Sequence, residues 1–253
     1  AQAAPIDDQF LNESFPVDQQ KIFNLALLKD LGYSFKRGRL DESAHPFTIS
    51  LGSDDIRITT RYDEFMIKMS IFGTIHECGH GLYELGMGEN IKNSLLAQGA
   101  SLGIHESQSR TWENTLGRSY AFWQYYFPKL KELFPEPLSR VDLELFYKAI
   151  NKSEPSLIRV EADEVTYNLH VMMRFDLERE IIHGNLLVAD LPDAWNERFE
   201  TDFGRRPLRI EDGVLQDIHW PAGLIGYFPT YTLGNIFSAQ IMATAQQSGV
   251  GNA

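Results

Sequence analysis

Apolar residues recur at helical spacing through Ile22, Phe23, Leu25, Leu28 and Leu31, with Asp18 placed to cap this helix and Gly32 to stop it. His45-Pro46-Phe47 opens a different texture. Thr48–Leu51 and Ile56–Tyr62 read as short strands around the turn-rich Gly52-Ser53-Asp54-Asp55, which predicts one hairpin and the only sheet. From Phe65 to about Leu85 the apolar positions are too dense for a surface helix and predict a buried one. Leu95–Phe127 predicts one long helix or two joined ones, with Pro128, Pro135 and Pro137 punctuating the next stretch of chain. Asp142–Ile150 reads as a short helix. Ser156 is placed to cap a long helix from about Leu157 to His183, and Asp190 a shorter one near Pro192–Phe203. Pro221–Pro229 is a loop of glycine, proline and aromatic residues, and Thr230–Gln247 closes as a helix. There is no internal repeat, linker or low-complexity tract. The pattern predicts a mainly α fold with one small β element, continuous over residues 1–253.

Composition narrows the classes. Of 253 residues, 43% are hydrophobic, enough for a sizeable core, so wholesale disorder is excluded. The 35 acidic residues outnumber the 23 basic ones, a net charge of −12, which argues against a phosphate-tracking nucleic-acid binder. No apolar run approaches the roughly 18 residues needed to span a bilayer. The single cysteine, Cys78, excludes an intrachain disulfide and favours a reducing, cytoplasmic compartment. Ala1–Pro5 lacks the basic start and apolar segment of a signal peptide, and Gln246–Ala253 reads as a frayed tail.

His76-Glu77-Cys78-Gly79-His80 sets an H-E-x-x-H pattern on the predicted buried helix. Residues i and i+4 share one helix face, about 5–6 Å apart at Cβ. Both imidazoles can therefore reach one zinc ion, at about 2.0–2.1 Å, and Glu77 can act as general base toward metal-activated water. The opposing reading is a chance pattern on a core helix. A buried helix needs a reason to carry such polar groups, however, and a metal supplies one. A third ligand is required. His105 and Glu106 lie about 25 residues beyond His80 on the next predicted helix, and a long turn around Gly86–Asn93 permits the return. Glu106 is preferred, because a glutamate on a later helix is the usual gluzincin arrangement; its alternative is an i to i+4 ion pair with Arg110. Cys78 lies about 200° around the helix from His76 and reads as a small packed side chain.

Six ordered motifs then carry a resemblance. His45-Pro46-Phe47 matches H-P-F, Asp55–Thr59 matches D-x-R-x-T, and His76–His80 matches H-E-x-x-H. His105-Glu106-Ser107 with Gln108 matches the H-E-S element, Ile158–Asp163 matches I-R-x-x-A-D, and Gly226–Gly234 matches G-Y-F-P-T-Y-x-L-G. Together they resemble the thermostable carboxypeptidase Taq family of zinc metallocarboxypeptidases. The resemblance implies a helical metallopeptidase catalytic core, zincin-like and neurolysin-like, that releases single C-terminal amino acids from peptides with broad preference. It implies His76, His80 and Glu106 as ligands of one divalent metal, zinc or cobalt, with Glu77 as general base. His219, Tyr227 and Tyr231 are the candidates for donors to the developing oxyanion. Arg159 is the candidate for the substrate carboxylate, steadied by Asp163 at i+4 on the same helix. Arg57 is the runner-up and reads rather as a structural ion pair, and His45 as a structural or groove-lining residue.

Family members are about twice this long, so the resemblance implies a fragment truncated at both ends, with an exposed apolar face where further helices would dock. The family's usual dimer makes a homodimer possible. The expected partners are peptides with a free C-terminus, not nucleic acid or membrane. The alternatives are a related oligopeptidase cutting internally and an inactive metal-binding remnant. The aromatic cluster Phe122, Trp123, Tyr125, Tyr126 and Phe127 reads as packing, and His170 and His183 as ordinary helix residues. Lys36, Arg37 and Arg39, like Arg205, Arg206 and Arg209, read as solvated loops.

Overall fold

Helix α1 (Val17–Asp30) forms where the apolar spacing predicts, with Leu31 and Gly32 (φ 91°) ending it. Asp18 does not cap it: the helix begins after Pro16, so Asp18 sits in the first turn, where its charge suits the helix dipole. Buried amides tie α1 to its neighbours. Gln20 Nε2 donates to the Phe15 and Asp63 carbonyls, and Asn24 Nδ2 donates to the Ser70 carbonyl and Thr74 Oγ1. A computed structural model describes residues 5–92 and 94–249 of the chain. Ala1–Ala4 and the end of the expected tail, residues 250–253, lie outside the described residues. The chain divides into two compact units, one formed by residues up to Asn151 with those from Gly234 onward, the other by Lys152–Leu233.

In the first unit the predicted hairpin is present, β2 (Thr48–Ser50) antiparallel to β3 (Ile56–Thr60) with Thr48 opposite Ile58. The sheet also has a third strand. β1 (Gly38–Glu42) pairs parallel with β3, giving the order β1-β3-β2. Of the basic run, Lys36 sits in an exposed turn as expected, whereas Arg37 and Arg39 belong to the sheet and the chain leading into it. Arg37 donates to the Ser53 and Leu85 carbonyls and to Asp54, and Arg39 lies within β1. Gly38 is required there, since a Cβ would fall 2.0 Å from the Ile56 carbonyl oxygen. Ile56 and Ile58 of β3 pack on Leu28, Tyr33, Cys78 and Leu85, so the sheet floors helix α2 (Ile67–Leu85), the expected buried helix.

Residues 86–92 and 94–101 form turns, bends and irregular chain rather than the start of a helix. Leu95 and Leu96 are exposed there, and α3 (Leu102–Arg110) begins only where Ser101 Oγ accepts from the Ile104 amide. A π-helical turn (Thr111–Leu116) comes next, then α4 (Tyr120–Leu133), capped by Ser119. Pro128 does not stop α4. It sits inside the helix, which forgoes one backbone hydrogen bond there. α5 (Leu143–Ile150) is capped by Asp142 as predicted. Trp123, Tyr126 and Phe127 join Phe10, Phe15 and Phe146 in the core, while Tyr125 is exposed.

In the second unit, α6 (Tyr167–Ile182) starts ten residues later than its predicted Leu157. Ser156 caps nothing there; its hydroxyl donates to the Ile158 carbonyl. Arg159–Glu161 is a single 3-10 turn. Asp163 organises this stretch, accepting from Ser153 Oγ, the amides of Glu154, Val165 and Thr166, and Thr166 Oγ1. α7 (Leu191–Phe203) is preceded by Asp190, which makes no capping bond through its side chain. Trp195, Phe199 and Phe203 pack on Met173 and Leu177. Leu169, Met172, Phe175 and Ile182 of α6 are exposed. α8 (Pro229–Gln247) begins in this unit, and its residues from Gly234 belong to the first. Among the described residues no helix is long and apolar enough to cross a membrane.

Candidate metal centre

One turn of α2 separates His76 from His80, so their rings project from one side, 4.9 Å apart between centroids. Glu106 of α3 meets them. Its Oε2 lies 3.9 Å from His76 Nε2 and 3.6 Å from His80 Nε2, and one donor atom from each of the three residues lies within 4.8 Å of the others. Two glycines make this approach possible. A Cβ on Gly79 would stand 2.6 Å from Ser109 Cα, so α3 can lie against α2 only because that side chain is missing. Gly234 of α8 covers the other flank, where a Cβ would stand 2.5 Å from Glu106 Cγ. Gly79 lies inside the H-E-x-x-H pattern and Gly234 ends the G-Y-F-P-T-Y-x-L-G run.

The ring nitrogens facing away are all engaged. His76 Nδ1 donates to Glu113 Oε2 at 2.7 Å, and His80 Nδ1 lies 2.7 Å from His105 Nδ1. Both Nε2 atoms are thereby turned toward Glu106. Arg110 bonds Glu106 Oε1 at 2.7 Å and Glu113 Oε2 at 3.2 Å. The ion pair that competes with a ligand role for Glu106 thus coexists with it, since the two carboxylate oxygens face different ways. Burial opposes ionisation of Glu106, but Arg110 and the two histidines outweigh it and hold the carboxyl well below the usual range. The same contest, led by Arg110 and His76, holds Glu113 down at about 2. Burial also works against an imidazolium at His76, yet Glu106 and Glu113 push it up to about 9, while burial keeps His80 low. Two imidazoles and an ionised carboxylate, each oriented from behind, form the donor set of a three-residue zinc-type site and fit a divalent metal.

Glu77 is buried on the same helix, and its Oε2 accepts the Thr48 hydroxyl at 2.6 Å. Thr48, Glu113 and His105 as a supporting group were not anticipated from the residues. Two signals were available. Thr48 directly follows the H-P-F motif, and Glu106, Arg110 and Glu113 recur at i, i+4 and i+7. Cys78 is fully buried against the sheet, and burial pushes its thiol up to about 12. His45 is exposed, with its ring on the Pro46 carbonyl. Arg57 forks onto Asp55 as the structural reading expects.

The remaining candidates lie in the second unit. Arg159 is buried but not on a long helix, and Asp163 does not hold it. Its Nε and Nη2 donate to Asp217 Oδ1 and its Nη1 to the Tyr167 hydroxyl. Fully buried Arg174 takes the other oxygen of Asp217. Burial would raise the Asp217 carboxyl, but Arg174 and Arg159 keep it below its ordinary value. His219 Nε2 lies 2.9 Å from the Tyr231 hydroxyl, its ring 5.3 Å from that of Tyr227, and the Arg159 guanidinium 5.0 Å from the Tyr231 ring. Arg159, His219, Tyr227 and Tyr231 thus form one cluster around Asp217. Spacing alone could not pick out Asp217 and Arg174, because their partners come from distant segments. His170, expected to be ordinary, is fully buried against Phe199 and Phe203.

Known proteins resemble this chain over most of its length. The pattern of the carboxypeptidase Taq (M32) metallopeptidases matches residues 1–251. The thermostable carboxypeptidase 1 of Thermus thermophilus is 51% identical over 240 residues, covering 95% of this chain and 47% of that protein. Carboxypeptidase 1 of Bacillus subtilis is 46% identical, over 93% and 47%. The crystal structure of the M32 carboxypeptidase from Deinococcus radiodurans superposes with a TM-score of 0.94 at 46% identity, over 98% of this chain and 50% of that one. The chain spans about half the length of the curated relatives it matches. With His76, His80 and Glu106 in metal-ligand geometry and the family pattern matching residues 1–251, this chain belongs to the carboxypeptidase Taq (M32) metallopeptidase family.

Proposed function

We propose that residues 1–253 form one catalytic region of a cytoplasmic zinc carboxypeptidase that releases single C-terminal amino acids from peptides with broad side-chain preference. The observation that carries this reading is the convergence of His76, His80 and Glu106 next to a buried Glu77. A zinc or cobalt ion held by the three residues supplies a Lewis acid for the scissile carbonyl. Glu77 takes a proton from the attacking water and passes it to the leaving amine. The Thr48 hydroxyl, bonded to one oxygen of Glu77, keeps the other available for that transfer. His219, Tyr227 and Tyr231 offer N–H and O–H donors for the oxygen that gains charge. Arg159 offers positive charge to the free carboxylate of the substrate, with Asp217 and Tyr167 fixing its orientation. The substrates are peptides with a free C-terminus, and a homodimer is compatible with the family.

Mass spectrometry of an N-blocked peptide incubated with the chain and zinc or cobalt tests this, with Glu77→Gln alongside. A ladder that loses one C-terminal residue at a time, reduced about 10²–10⁴-fold in the variant, is expected. Internal cuts would instead make the protein an oligopeptidase. Equal activity of the two proteins would remove Glu77 from the chemistry.

A further inference from the structure

The two histidines of the centre are supported differently from behind. His76 meets a carboxylate directly, through Glu113. His80 meets a second imidazole, that of His105, which in turn reaches Glu84 through Nε2 at 2.7 Å. Hydrogen counting gives this chain a direction. A His80 that ligates a metal through Nε2 needs the lone pair of that atom, so its hydrogen is on Nδ1 and is donated to His105 Nδ1. His105 accepts at Nδ1, so its own hydrogen is on Nε2 and goes to a carboxylate, which can only accept. Every atom along His80–His105–Glu84 then has one role. The His105 ring is held for it: Tyr83 packs edge-on at 5.1 Å, and the backbone at Gly99 lies so close that a Cβ would stand 2.7 Å from the ring. The 4.7 Å separation and 51° tilt of the His80 and His105 rings suit an in-plane hydrogen bond, not a stack.

We propose that His105 and Glu84 form a positioning relay that fixes the tautomer and ring orientation of His80 and so sets the metal affinity of the centre. The inference rests on the proposed metal site and assigns a job to the histidine of the H-E-S element, which holds no place among the three ligands. The relay couples α2 to itself through α3: Glu84 is four residues beyond His80 on the same helix, and His105 bridges them from the helix that carries Glu106. One helix thus delivers a ligand and, from the preceding residue, the support for another. Outer partners of ligating histidines are worth 10–100-fold in metal affinity.

The test measures zinc affinity by chelator competition, with the visible spectrum of the cobalt-loaded protein as second readout. It uses wild type, His105→Phe, His105→Gln and Glu84→Leu. Phenylalanine keeps a ring in the packing but can neither accept nor donate. Glutamine can accept from His80 through its carbonyl and donate to Glu84 through its amide. The expected result is a 10–100-fold loss of affinity for His105→Phe, with an altered cobalt spectrum. His105→Gln should restore affinity to within a few-fold of wild type, and Glu84→Leu should lose it in the same direction as His105→Phe. Urea melts of the metal-free proteins report folding, and Glu84→Leu serves if His105→Phe does not fold. Wild-type affinity in His105→Phe and Glu84→Leu would overturn the relay while leaving the metal site standing. Equal losses in the glutamine and phenylalanine variants would also overturn it. A wild type that binds neither zinc nor cobalt would overturn the metal site itself.

Discussion

Replacing Gly79 with alanine sets two physical effects of opposite sign against each other. Alanine is favoured over glycine inside a helix by about 0.8–1.0 kcal/mol, so propensity alone makes Gly79→Ala stabilising. The packing says otherwise. The new Cβ would stand 2.6 Å from Ser109 Cα and 2.8 Å from the Gln108 carbonyl oxygen, both backbone atoms that cannot rotate away. Restoring an ordinary contact of 3.4 Å requires α3 to retreat by about 0.8 Å. Glu106 would move with it, whereas metal–ligand bonds tolerate about 0.2 Å. Overpacking of this kind costs about 1–3 kcal/mol, which corresponds to about a 5- to 150-fold loss if expressed wholly as metal affinity. The assay pairs zinc competition against a chelator with urea melts of the metal-free variant. The loss should appear in affinity if α3 moves and in the melt if it does not. A variant that is more stable without metal and binds zinc within twofold of wild type would refute the close contact as the determinant of the site.

Other outcomes rest on single contacts. Thr48→Val removes the hydroxyl that Glu77 Oε2 accepts, and peptidase turnover is expected to fall about tenfold with zinc affinity unchanged; a parallel loss of both would place Thr48 in metal binding instead. Burial, helped by Arg174 and Arg159, lowers His170 to about 3 in the folded chain, against about 6.5 when unfolded. The unfolded chain then binds the extra proton, so this contribution to stability is intact above pH 6.5 and is lost as pH falls toward 3. By pH 5 the loss amounts to about 2 kcal/mol. Urea melts at pH 7.5 and 5, followed by tryptophan fluorescence, should show that loss in wild type and not in His170→Gln; equal slopes in both would clear His170 of it.

What could be read along the chain was whatever depends on local spacing. His76 and His80 are one turn apart, so any helix through them makes the pair, and the dense apolar run from Phe65 guaranteed that helix. Glu106 came from the need for a third ligand. Strand β1 was hidden because its residues, Gly-Arg-Leu-Asp-Glu, are mostly polar and its partner lies parallel across a crossover, so no turn announces it. The late start of α6 was hidden because Asp163 offers its neighbours five side-chain hydrogen bonds, and these compete with helix formation from Leu157 onward. Glu113 was missed because a π-helical turn presents it to His76, and nothing in Thr-Trp-Glu-Asn-Thr-Leu marks such a turn.

The clamp on α3 has a consequence for the order in which the centre comes into being. α3 has nine residues and runs on into the six of the π-helical turn, a length at which a helix alone in water is only marginal, so it depends on what grips it. One side of the grip is Gly79, nearby in the chain. The other is Gly234, in the stretch of α8 whose Ser238 shares a hydrogen bond with Thr111 across 127 positions. Contacts of such separation pay their loop-closure entropy before they return anything, and they form late. During folding the two imidazoles are therefore in place on a 19-residue helix well before the carboxylate is secured. The three-residue set is a product of completed folding rather than a template for it, and a metal ion arriving early meets only two of its ligands.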